Sequence, residues 1–225
     1  MKVSGSDFIS ISNTWVKELI KKDFEGEDIF VRSKVYEQTH KALVENWLPI
    51  YQGQYQLMGD TQIMINKICW DFATYWGLQV IIFVNDGFLD MDFLSKSAKP
   101  DGVFTKLGEL NIKIQQMFID FKDFDKKEII GEYVDPLELK LLQRLNIEMI
   151  DKYDNANDLI AKAEQNLHEL ENMAAALFIK YFRHAYGEQI TSVDPYSVDL
   201  ANKKYEEGIV PTENIQQDVD KIWFL

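Results

Sequence analysis

Apolar residues in this chain recur three and four positions apart over long stretches, and nowhere do they alternate with polar ones over a useful length. That spacing gathers them into one stripe per helical turn and leaves no half-buried strand to pair. Glycine (11) and proline (5) are scarce among the 225 residues, so turns are few and the elements must be few and long. The expected fold is all-α, an irregular bundle of about six main helices with short helices at the C-terminus. Apolar residues make up 46% of the chain, enough for a full core in a single helical domain over 1–225.

The first helix is expected from about Ser6 to Lys22. Ser4–Gly5–Ser6 forms a polar turn, Ser6 is placed to cap, and Phe8, Ile11, Trp15, Leu19 and Ile20 are the apolar positions. A second helix starts near Asp28 and is ended by Pro49, which removes a backbone donor and clashes with the preceding turn. A third opens at Asp60 or Thr61 and runs to about Val84; it is apolar on nearly every side near its end, which predicts a central, buried position. Residues 1–85 thus hold the opening turn and three helices. Residues 86–103 read as the longest irregular stretch, after the break at Asn85–Asp86–Gly87. Within 104–225 the spacing predicts helices from Phe104 to Phe124, over LELKLLQRLNIEMIDKY after Asp135–Pro136, and from Asn157 to a stop at Gly187. Short helices are expected after Asp194–Pro195 and after Pro211–Thr212.

The net charge of −13 offers no basic footprint to displace counterions, so nucleic acid and anionic membrane surfaces are excluded as partners. The most apolar run, Tyr75 to Val84, is about half of what crosses a bilayer. A lone cysteine, Cys69, forms no intramolecular disulfide and suits a reducing compartment. The start carries no signal-peptide pattern, and the cytoplasm is the expected location.

Few constellations carry chemistry. Glu37 and His40 have the i, i+3 spacing of a di-iron bundle ligand pair, but no second Glu-x-x-His exists, so no metal site is expected and this pair is only the weak alternative. Cys69 sits in an apolar run without a basic neighbour, which reads as a structural thiol. His184 lies near a helix C-terminus, where a cation gains from the dipole. Phe72, Tyr75 and Trp76 share a helix face and are candidates for an aromatic substrate pocket, core packing being the blander reading. Ser4, Gly5, Ser6 and Asp7 present small residues and successive backbone N–H groups at a helix start, the arrangement of an anion or cofactor site as well as of a plain cap. No Gly-x-Gly-x-x-Gly and no Walker loop occurs.

SGSDFISISNT, followed by GED, YQGQYQLMGD and KICWDFATYWG, resembles the C-terminal helical part of flavin-dependent halogenases of the tryptophan type and related FAD-dependent, monooxygenase-fold oxidoreductases. The resemblance covers residues 3 to about 80. It implies that Gly5 is the turn glycine facing the flavin ring, that Ser6, Asp7 and Phe8 begin the helix behind it, and that Phe72, Tyr75 and Trp76 lie on the substrate side. Val3–Ser4 replaces the family's Ser-Pro, and the place of the catalytic glutamate of tryptophan halogenases falls on Lys2. The dinucleotide-binding fingerprint is not in this sequence. The resemblance therefore implies reduced FAD as the cofactor of the complete enzyme, none held by this chain alone, and a flavin-binding domain on a separate chain as partner. It also implies that the chain by itself is inactive, from a split or truncated gene. A non-catalytic helical interaction module is the alternative. Both readings predict an exposed apolar patch near Phe8 and Trp15, and with it self-association or a partner protein.

Overall fold

The computed structural model describes residues 5–124 and 134–225. These form eight helices: α1 (Gly5–Phe24), α2 (Phe30–Trp47), α3 (Thr61–Thr74), α4 (Met91–Ser97), α5 (Val103–Phe121), α6 (Lys140–Glu148), α7 (Ala156–Tyr186) and α8 (Glu213–Lys221). Among the described residues there is no strand, only two isolated bridges, Val193–Ile209 and Asp199–Lys204. The chain is all-α. No helix among the described residues is long and apolar enough to cross a membrane.

Side-chain caps open several of the elements. Asp60 accepts from the Ile63 N–H at 2.9 Å and opens α3, as the sequence predicts. The rod does not stop at Thr74; it passes through a π-turn (Tyr75–Val80) into a last α-turn (Ile81–Val84). Pro49 ends α2 in a short 3-10 turn, Leu48–Ile50. Asn155 accepts from the N–H groups of Asn157 and Asp158 to start α7, and Gly187, at φ 69°, stops it.

Four expectations are corrected. The first helix begins at Gly5, so Ser6 lies in its first turn, while Ser4 and the residues before it lie outside the described residues. Residues 86–103 are not merely irregular. Asp90 accepts from the Phe93 N–H at 2.9 Å and caps α4, which buries Phe93 and Leu94. Gly102 then turns the chain into α5 so tightly that a Cβ there would meet the Ser97 carbonyl oxygen at 2.4 Å. α6 is shorter than its apolar pattern: Asp135–Pro136 starts a separate 3-10 turn before it, and Ile147 and Ile150 near its end are exposed. Its first N–H groups, Lys140 and Leu141, donate to the Asp218 carboxylate of α8 at 3.0 and 2.8 Å, a cap supplied from far along the chain. After Asp194–Pro195 there is a turn and no helix, since Asp194 accepts from Tyr196 and Ser197 and the bridge at Val193 pins the segment.

The rod made by α3 and its π-turn is central, packed by α5, α6 and α7. Several of its buried polar side chains are answered across those interfaces. Asn66 donates to the Tyr181 hydroxyl at 2.8 Å, and Trp70 Nε1 donates to Asn111 Oδ1 at 2.8 Å. Asn166 of α7 donates to the Gly77 carbonyl inside the π-turn at 2.7 Å, answering an oxygen in the altered ladder. Gln62 holds the C-terminal segment by donating to the Ile222 carbonyl and accepting from the Phe224 N–H, both at 2.7 Å.

α1 is attached differently. Ile11 and Trp15 are buried; Trp15 stacks on Tyr36 at 5.4 Å and donates from Nε1 to the Phe88 carbonyl at 2.7 Å. The Phe8–Trp15 face is therefore covered, contrary to the patch that both the flavin-enzyme and the interaction-module readings expect there. The exposed apolar residues lie on the opposite face: Ile9, Val16, Ile20 and Phe24, the last 88% exposed.

Candidate functional site

Where the N-terminal half of α1 passes the π-turn, a cleft of about 160 Å³ opens, lined by Asp7 and Ser10 on one side and by Tyr75, Gln79, Val80 and Phe83 on the other. The π-turn shapes this wall. Its i→i+5 bonding stacks Val80 over Tyr75, a position that a regular helix turns about 140° away. Gln79 is buried, and its Oε1 has no protein partner. Burial and the nearby Asp7 carboxylate both push the Tyr75 hydroxyl above its ordinary pKa.

The aromatic trio read as one face is divided. Tyr75 and Trp76 are consecutive and diverge by about 100° around the helix. Phe72 and Trp76 stack on each other at 4.6 Å. Tyr75 turns instead to the edge of Trp47 at 6.5 Å, in a small cluster with Phe8 and Ile50. Of the expected pocket residues, Tyr75 alone lines the cleft, and of the expected cofactor residues, Asp7 does. Gly5 and Ser6 precede it in the first turn of α1, and Ser4 lies outside the described residues.

Beneath Tyr51 lies a feature that motif reading missed. Lys67 and Asp71, one turn apart on α3 and both buried, are joined at 3.0 Å. Gln115 of α5 closes the ring, accepting from Lys67 Nζ at 2.9 Å and donating to Asp71 Oδ1 at 3.1 Å. Burial pulls the Lys67 ammonium below its ordinary pKa against the pull of Asp71, and burial pushes Asp71 up. The signal was present in IMINKICWDFATYW, where two opposite charges at i, i+4 interrupt an otherwise apolar run. Burial, then the charges of Asp71 and Asp7, raise the Tyr51 hydroxyl.

The other candidates are accounted for by packing. Glu37 is exposed and accepts from Lys34 at 3.0 Å and Lys41 at 2.9 Å, bonds that hold its carboxyl down to about 2. His40 sits edge-on to Phe8 at 6.4 Å and Trp15 at 6.1 Å, so the two side chains serve different neighbours. Among the described residues no group of three or more His, Cys, Asp and Glu side chains is placed to hold a metal ion. Cys69 is buried, and desolvation pushes its thiol up to about 12. His184 packs against Phe121 at 5.4 Å and Trp223 at 6.1 Å. Compared with protein-family models, curated proteins and solved structures, the chain gives no match.

Proposed function

We propose that residues 1–225 form the helical, substrate-side portion of a flavin-dependent oxidoreductase of the halogenase or monooxygenase kind, acting with a flavin-binding region that these residues do not contain. One observation carries the reading. Asp7, in the segment that the resemblance sets against the flavin, and Tyr75, in the segment that it sets on the substrate side, line the same cleft. The two are far apart in sequence and come from segments chosen independently of any contact between them.

The cleft does not fit a whole flavin. At about 160 Å³ it has room for about five water-sized groups, far less than three fused rings need. The described residues thus offer one wall, with Asp7 and Gln79 as acceptors and Tyr75 and Phe83 as apolar surface, and no step of the chemistry is assigned to them. The expected result is that the purified chain is colourless and takes up little FAD. Co-expressed with the reading frame immediately upstream, it copurifies in a complex that retains FAD, and Tyr75→Ala lowers turnover in that complex while sparing assembly. Tight one-to-one binding of FAD by the isolated chain overturns the reading, as does an upstream frame without a Gly-x-Gly-x-x-Gly fingerprint.

The second reading, a non-catalytic interaction module, is favoured by the outer face of α1, where Ile9, Val16 and Ile20 are exposed on one side of the helix. Self-association without any flavin-dependent partner supports it over the first.

A further inference from the structure

A second cavity, of about 260 Å³, has Lys67 and Asp71 of the ring in its lining and is walled by Ile50, Tyr51, Gln54, Met64 and Ile68, with Tyr55 and Met58 at its rim. Neither the resemblance nor the α1 cleft accounts for it. An ion pair at this depth is a costly way to fill a helix interface, since desolvation offsets most of the attraction between the charges. Both oxygens of Asp71 are used, one by Lys67 and one by Gln115. Lys67 carries three N–H groups and spends two, on Asp71 and Gln115. Gln54, another wall residue, is 4% exposed; its Nε2 donates to the Pro49 and Gln52 carbonyls, while its Oε1 has no protein partner. The pocket therefore has one unspent donor and one unspent acceptor on walls that are otherwise aromatic, aliphatic and thioether.

We propose that this pocket is a binding site for a small neutral ligand with an aromatic or methyl-rich body and an amide, whose carbonyl accepts from Lys67 and whose N–H donates to Gln54. Volume limits the ligand to about nine water-sized groups. The charge balance disfavours an anion, because Asp71 already neutralises Lys67 and the carboxylates of Asp71 and Asp7 act on the Tyr51 hydroxyl at the rim. The apolar walls, Met64 among them, supply adaptable contact, and the two polar atoms supply orientation. Gln54 Oε1 is shielded in the free protein, so entry of the ligand includes a shift of the side chains that cover it.

The test uses the full chain and two probes of nearly equal shape, benzamide and acetophenone, titrated by NMR with methionine-methyl labelling. Acetophenone keeps the carbonyl and lacks the N–H. Benzamide is expected to saturate, with shifts concentrated at Met58 and Met64, and to bind about fivefold to tenfold more tightly than acetophenone, the worth of one neutral hydrogen bond. In Gln54→Leu the two probes become equal. Val16→Ala, exposed on the outer face of α1 and outside the pocket, serves as the variant that keeps the fold and leaves the preference for benzamide intact. Absence of saturable binding by benzamide, shifts centred away from Met58 and Met64, or equal affinity for the two probes in the unaltered chain would each overturn the proposal. None of these outcomes bears on FAD uptake, so the pocket and the flavin reading fail separately.

Discussion

α3 and α1 are both amphipathic in sequence, yet they are built into the molecule on opposite terms. α3 buries Asn66, Lys67, Trp70 and Asp71, and each finds a partner on α5 or α7 or on its own helix. α1 buries only Ile11 and Trp15 below a tenth of their surface and leaves Ile9, Val16, Ile20 and Phe24 to solvent. The difference shows where specificity resides. A helix whose polar groups must be answered has one register, whereas a helix held by a few rings is free to shift by small amounts. The α1 cleft lies between the two, with its π-turn wall fixed by the core and its Asp7 wall carried on the looser helix.

The largest effect tests the rigid side. Asp71→Asn leaves Lys67 buried beside no counter-charge, and the cost at neutral pH is about 3–5 kcal/mol in chemical denaturation. The pH dependence of this variant has a definite sign. With Asp71 neutral, burial is the remaining influence on Lys67, so its folded pKa lies below the unfolded value of 10.5. Between those two values the unfolded chain holds a proton that the folded chain has released, and stability rises with pH. A flat or falling profile across that window would mean that Lys67 is not desolvated.

Next is a matched pair that compares the two helices directly. Trp70 and Trp15 each donate from Nε1 to a buried oxygen, Asn111 Oδ1 at 2.8 Å and the Phe88 carbonyl at 2.7 Å. Tryptophan to phenylalanine orphans the acceptor in both, at about 1–3 kcal/mol. For Trp70→Phe the loss is global, seen as one lowered denaturation midpoint. For Trp15→Phe the expected result is faster amide exchange confined to α1, with the rest of the molecule still protected. Equal, global losses would abolish the distinction between the helices. Gln62→Ala ranks third. It removes two bonds of 2.7 Å to the C-terminal segment at about 1 kcal/mol each, and trimming after Trp223 by carboxypeptidase should accelerate.

How much of this was legible in the sequence depended on whether the deciding forces were local. Helix content, the Asp60 cap, the Pro49 break and the Gly187 stop rest on contacts within a few residues, and each lies where the pattern put it. α4 was missed because its cap, Asp90, stood inside a stretch dominated by Gly87, Pro100 and Gly102. The cap of α6 by Asp218 is 77 or 78 residues away from the N–H groups that it accepts from, and no local pattern encodes it. At the candidate site the trio Phe72, Tyr75 and Trp76 was read on an ideal wheel. Its division depends on what lies outside the helix, Trp47 and Ile50 drawing Tyr75 one way while Phe72 and Trp76 stack the other. The Lys67–Asp71 ring was visible as charge in an apolar run, but its third member, Gln115, belongs to another helix.

The smallest expected change in stability concerns the face that is left open. Val16 sits midway along the outer stripe of α1 and is 54% exposed. Val16→Glu should therefore alter folding stability by no more than about 0.5 kcal/mol. Its consequence is intermolecular. If the stripe from Ile9 to Phe24 is a contact surface, a carboxylate at its centre must be desolvated on association, and light scattering should show the substituted chain losing mass relative to the unaltered one. The same substitution separates the two ways of regarding α1. Loss of association with unchanged amide exchange in α1 means that the helix is held by Ile11 and Trp15 alone. Loss of association accompanied by faster exchange means that the second molecule was completing its attachment, and that the looseness of α1 is a property of the isolated chain.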